Sequence, residues 1–122
     1  MAHVMQQQEL LTDAGMDQCL QAAEHALSGI HAHPSEPSGG KVTAELGSYG
    51  MYDYHARKHP EYLPVSLAVA VEDLGAQRKV TTMVDSHWPF ESLDEWIEGD
   101  YQKRCQQLLT MLQASIAQTL KP

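Results

Sequence analysis

Positive charge is scarce in this chain. Eight lysines and arginines face 16 aspartates and glutamates over 122 residues, a formal net charge of −8. A sequence-independent grip on nucleic acid or on anionic lipid needs clustered cations, so both are argued against, while solubility is favoured. Cysteine is limited to Cys19 and Cys105, with no CxxC pair. A domain of this length builds a core without covalent staples, and two isolated thiols point to a reduced, cytoplasmic setting. No apolar run approaches the roughly 18 residues needed to span a bilayer. The start, MAHVMQQQELL, has no basic stretch followed by an apolar one, which argues against a signal peptide. The GxSxG nucleophile elbow and the glycine-rich phosphate cradle are both missing, and with them the commonest hydrolase and nucleotide signatures.

What is present reads as one domain over residues 1–122, with a flexible N-terminus to about residue 12. Thr12 or Asp13 offers a helix cap. From Met16, the residues Cys19, Leu20, Ala23, Leu27 and Ile30 recur at steps of three and four, the pattern of an amphipathic helix. HAHPSEPSGG, residues 31–40, is a loop, since its prolines and glycines sustain no ladder. The period then changes to two. Val42, Ala44 and Leu46 alternate with polar residues, and the strand either ends near Ser48 or bulges and runs on toward Tyr54.

Val65, Leu67, Val69 and Val71 alternate with Ser66, Ala68 and Ala70, and Val80, Thr82 and Val84 alternate with Lys79, Thr81 and Met83. The short Asp73–Ala76 link makes these two strands an antiparallel hairpin. Ser92 to Glu95 has capping-box spacing, and Leu93, Trp96, Ile97, Tyr101, Cys105, Leu108, Leu112, Ile116 and Leu120 then keep helical period, with Gly99 as a point of division. The expected fold is therefore α+β: a two-layer α/β sandwich in α-β-β-β-α order, with two helices on one face of a three-stranded antiparallel meander. Both cysteines fall on inward helical stripes and are expected to be core thiols. The sheet's other face carries small and polar side chains, leaving either solvent or a shallow surface for a flat ligand.

The most distinctive stretch is YGMYDYHARKHPEY, residues 49–62, which holds four of the five tyrosines and two of the seven histidines. Tyr49, Tyr52, Tyr54, His55, Arg57, Lys58 and His59 form a candidate binding surface on a strand end and loop. As a strand it would set Tyr52 and Tyr54 on one face. The competing reading packs the tyrosine rings inward with their hydroxyls in water. Trp88, with Phe90 and Trp96, forms an aromatic knot before the last helix, serving either as core cover or as an interaction anchor.

Zinc needs four converging ligands, and neither His31-Ala32-His33 nor the His55/His59 pair supplies them, so no metal and no cofactor are expected. Asp85-Ser86-His87 has the residue types of a hydrolase triad, but neighbours on a strand point to opposite faces. Without a catalytic constellation, the expected function is a non-enzymatic protein-binding or self-associating module, its partner a protein or a second copy. The alternative is a small enzyme or a ligand or metal binder using histidine.

The α-β-β-β-α order resembles that of double-stranded-RNA-binding domains. That family's final helix begins with clustered lysines that grip phosphates, whereas the equivalent start here is Ser92-Leu93-Asp94-Glu95-Trp96, with no lysine before Lys103. The resemblance thus implies the fold and leaves nucleic-acid binding as the weakest functional reading. In size and acidity the chain also looks like type III secretion chaperones.

Overall fold

A computed structural model describes residues 4–90 and 93–121. Its class is α+β, built on one antiparallel sheet. The elements in order are β1 (Met5–Thr12), α1 (Met16–Gly29), β2 (Lys41–Leu46), α2 (Tyr49–Tyr54), a single 3₁₀ turn (Pro60–Tyr62), β3 (Val65–Asp73), β4 (Arg78–Ser86) and α3 (Glu95–Leu120). The expected meander is present as β2-β3-β4. A fourth strand, β1, adds beside β4, giving the order β1-β4-β3-β2.

The N-terminal segment read as flexible therefore supplies an edge strand, in unbroken register from Met5↔Asp85 to Thr12↔Arg78. Its run of three glutamines hides the alternation that would have marked it. Thr12 does not cap α1. Its hydroxyl accepts from the Ala14 N–H at 3.2 Å, and the helix starts only at Met16, where the Gln18 side chain accepts from the Gly15 N–H at 2.9 Å.

Period-two alternation decides what lies beneath the helices. Val42 and Ala44 of β2, Val65, Leu67, Val69 and Val71 of β3, and Val80, Thr82 and Val84 of β4 are all buried. α1 seals this face with Cys19, Ala22, Ala23, Ala26 and Leu27, and α3 does so with Ile97, Tyr101, Cys105, Leu108, Leu109, Leu112 and Ile116. The small alanine face of α1 lets the two helices pack side by side over the sheet.

Gly99 does not divide α3, which is continuous; the glycine lies where a Cβ would meet nothing within 4 Å. Ser92, proposed as the cap, lies outside the described residues, and Asp94 occupies the N-cap position. Both thiols are free and buried, and burial pushes Cys105 up to about 11 and Cys19 above its ordinary value. No helix among the described residues is long and apolar enough to cross a membrane.

Candidate interaction surface

β2 ends at Leu46 because the next residue leaves the sheet. Gly47 has φ +77°, and a Cβ there would overlap the Leu63 carbonyl. The chain turns away, the Ser48 N–H donates to the Tyr62 carbonyl at 2.9 Å, and the Ser48 hydroxyl accepts from the Met51 N–H at 3.1 Å, capping α2. The tyrosine-rich stretch is thus helix and turn, where a continued strand had been one of two expectations.

That change separates Tyr52 from Tyr54, which a strand would have kept on one face. Tyr52 is fully buried and Tyr54 is 82% exposed. α2 then closes through two successive left-handed residues, Ala56 (φ +58°) and Arg57 (φ +57°), and the Arg57 N–H donates back to the Tyr52 carbonyl at 2.9 Å.

This backbone reversal folds the Arg57 side chain back over its own helix. Nε donates to Asp53 Oδ1 at 3.1 Å and Nη2 to Tyr49 Oη at 2.8 Å, with the guanidinium 5.6 Å from the Tyr49 ring centroid. The bond to Asp53, then that to Tyr49, holds Arg57 more firmly protonated than usual. A second group of rings lies on the other flank. His55 stacks on Tyr62 at 4.5 Å, Tyr54 and His59 meet His55 edge-on, and His59 Nδ1 is 3.2 Å from Glu61 Oε1. Lys58 is exposed and makes no ion pair among the described residues.

The segment after β4 supplies the rest. Trp88 is half-buried against the core, edge-on to Tyr49 at 5.4 Å, to Tyr52 at 6.1 Å and to Tyr101 of α3 at 6.1 Å. Phe90 packs on Tyr49 at 4.9 Å and on Trp88 at 5.8 Å. Two sequence features read separately, the tyrosine stretch and the tryptophan knot, are one cluster in space. The knot itself divides: Trp88 is the core cover, whereas Phe90 is 50% exposed and Trp96, expected on the inward stripe, is 51% exposed. Met51 of α2 also faces solvent, a position that the reading of tyrosines and charges passed over.

Beneath the cluster the polar accounting is uneven. The Tyr101 hydroxyl donates to the Pro64 carbonyl at 2.8 Å, and burial raises its pKa well above the ordinary tyrosine range. The Tyr52 hydroxyl is buried with no hydrogen-bond partner among the described residues. Burial raises its pKa too, with Asp100 adding to the effect and Arg57 opposing it.

Elsewhere, the outer sheet face forms a shallow open groove bordered by His33, Ser35, Thr43, Ser66, Ala68 and Met83. The Asp85-Ser86-His87 stretch forms no relay: the Ser86 hydroxyl is buried and accepts from the Val4 N–H at 3.1 Å. No group of three or more His, Cys, Asp or Glu side chains among the described residues is placed to hold a metal.

No family model matches the sequence, and no curated protein matches it. Among solved structures, the crystal structure of Ara h 8.0201 aligns over 96% of this chain and 99% of that one, at 14% identity and a TM-score of 0.43. A likeness of that depth assigns no family and no activity.

Proposed function

We propose that this chain is a non-enzymatic protein-binding domain whose recognition surface is α2 with the 87–90 segment. The observation that supports it is the convergence of Tyr49, Trp88 and Phe90 into one edge-to-face cluster, with Phe90 half exposed, and with Met51 and Tyr54 of α2 and Trp96 at the start of α3 also facing solvent. Rings fixed from below and exposed above give contact area without ordering cost on binding, the property of interface anchors. Arg57 is committed to Asp53 and Tyr49, so Lys58 is the local cation open to a partner. On a chain of net charge −8, that favours an apolar segment carrying a carboxylate as the partner.

The test is affinity capture with the full chain against a Tyr54→Ala/Phe90→Ala double variant and a Lys58→Glu variant. A partner retained by the wild type and lost from both, with melting temperatures within about 2 °C, supports the reading. A partner bound equally by all three, or none at all, removes it.

A second reading, a small-molecule binder, draws on the outer-face groove and its His33. It expects a rise in melting temperature with a ligand from a small-molecule panel, lost on Ala68→Trp, which fills the groove floor.

A further inference from the structure

The two edges of the sheet end differently. Along β2, the Ser35 N–H donates to the Thr43 carbonyl at 2.8 Å, and the Ser35 hydroxyl accepts from the Thr43 N–H at 3.1 Å, so the 31–40 loop occupies that edge. Lys41 and Glu45 add exposed charge there. Among the described residues, β1 pairs with β4 alone. Its sequence, MQQQELLT, has no proline, no lysine and no bulge, the devices that keep an open edge from pairing, and Glu9 is its one charge.

The backbone direction of each β1 residue is set by the ladder. The Ser86 N–H donates to the Val4 carbonyl at 2.8 Å, in line with the Met5↔Asp85 register, so the even-numbered residues of β1 bond to β4. Met5, Gln7, Glu9 and Leu11 therefore turn their N–H and C=O groups to the open edge. Their side chains lie on the sheet face away from the helices, and Met5 and Leu11 are 53% and 56% exposed.

We propose that the chain self-associates through β1, which pairs antiparallel with β1 of a second copy about a two-fold axis at Gln8, joining two four-stranded sheets into one. The second copy is favoured as occupant because this edge is complementary to itself. An axis at Gln8 sets Met5 opposite Leu11 of the other copy, twice, so each exposed apolar side chain on the strand meets another. It also sets each Glu9 opposite a Gln7. Moving the axis to Glu9 would oppose two like charges, and moving it to Gln7 would leave Leu11 unpaired. The proposal rests on the sheet edge and not on the aromatic surface, so either stands without the other.

Light scattering or sedimentation over a concentration series is expected to give twice the 13.6 kDa chain mass at the upper end. Because each copy carries −8, association tightens as salt rises. Gln7→Pro removes an open-edge N–H and none that bonds β4, so it is expected to weaken the dimer tenfold or more while leaving the monomer's melting curve in place. Gln8→Cys faces its own copy across a non-bonded pair with Cα atoms about 4.5 Å apart, within disulfide reach. Oxidation with copper-phenanthroline is expected to link it covalently, whereas Gln7→Cys, facing Glu9, links far less; Cys19 and Cys105 are buried and do not compete.

A monomer at every concentration overturns the proposal. So does a dimer that Gln7→Pro leaves at wild-type strength, or stronger cross-linking at residue 7 than at residue 8. Loss of the dimer in Tyr54→Ala/Phe90→Ala but not in Gln7→Pro would move self-association to the aromatic surface.

Discussion

The β3–β4 hairpin and the connection from β2 to β3, residues 47–64, are neighbours built on opposite principles. The hairpin is held by repetition. Its register runs unbroken from Val65↔Ser86 to Asp73↔Arg78, its inward residues from Val65 to Val71 and from Val80 to Ser86 are all buried, and its turn closes with the Leu74 N–H donating to the Gln77 carbonyl. The connection has no repeat. It is held by single residues in special conformations, Gly47, Ala56 and Arg57, and by rings supplied from residues far along the chain, Trp88, Phe90 and Tyr101. The hairpin averages its stability over many equivalent contacts, whereas the connection concentrates it in a few. It is the connection that carries the candidate site.

That contrast is most sharply tested at glycine. Gly47→Ala forces a Cβ into the Leu63 backbone at a positive φ, and neither neighbour is a flexible side-chain end that can move aside. A loss of about 3 kcal/mol or more is expected by chemical denaturation, at the upper end for single substitutions. Gly75 in the hairpin turn also has positive φ, but its Cβ would meet nothing within 4 Å. Gly75→Ala is expected to cost about 1 kcal/mol. Equal costs would mean that the close approach at Leu63 is not maintained in solution. Within the hairpin, Val69→Ala removes two methyl groups from a fully buried position and is expected to cost about 2–3 kcal/mol, leaving the Tyr54 and Phe90 surface able to bind.

The same contrast explains what could be read from the sequence. Val65 to Val71 and Val80 to Val84 announce their strands because side-chain period and burial coincide. Cys19, Ala23 and Leu27 announce α1 for the same reason, at the helical period. β1 was invisible because Gln6, Gln7 and Gln8 carry no polarity contrast, and its place is set by pairing with β4, far along the chain. At residues 49–62 composition singled out a stretch, and the strand that was one of the two conformations read into it is replaced by helix and turn. Gly47 and Gly50 left strand and turn open, and the deciding fact, the proximity of the Leu63 carbonyl to Gly47, is tertiary. The union of Tyr49 with Trp88 and Phe90 is likewise a product of topology: β4 delivers the 87–90 segment to the place where β2 has just ended. Local sequence carries no trace of it.

Alkaline pH is expected to loosen the seam between the two regions. Burial disfavours the Cys105 thiolate and pushes the thiol up to about 11 from the ordinary 9.0. Tyr101 is raised for the same leading reason, from 10.0. In both, the folded state holds its proton more tightly than the unfolded chain does. Their contribution is therefore complete below about pH 9 and is lost as pH rises through 9 to 11 and beyond. Melting temperature is expected to fall over that window. Cys105→Ala should flatten its lower part, and Tyr101→Phe its upper part, where loss of the phenolic proton also removes the bond to Pro64. A flat profile to pH 11 would show that neither group is as dry as the fold requires.

The smallest effect probes polar satisfaction. In the hairpin the two polar residues that are buried whole are both bonded, Thr82 to Gln113 at 3.2 Å and Ser86 to the Val4 N–H, and the buried Arg78 Nε, which has no hydrogen bond among the described residues, lies 3.6 Å from Asp73 Oδ1. Thr82→Val therefore strands the Gln113 carbonyl and is expected to cost about 1 kcal/mol. In the connection, the Tyr52 hydroxyl is dehydrated and bonded to nothing among the described residues. Tyr52→Phe keeps the ring edge-on to Trp88, deletes the orphan oxygen and leaves no acceptor or donor behind. Its effect is expected to lie between zero and about 1 kcal/mol of stabilisation, the reverse of the usual sign for removing a buried hydroxyl. A loss of stability would reveal a partner for that oxygen in the free protein. Unchanged stability with weakened partner binding would instead place the hydroxyl within reach of the partner, which is where a polar group left unsatisfied beneath an exposed aromatic surface has most to gain.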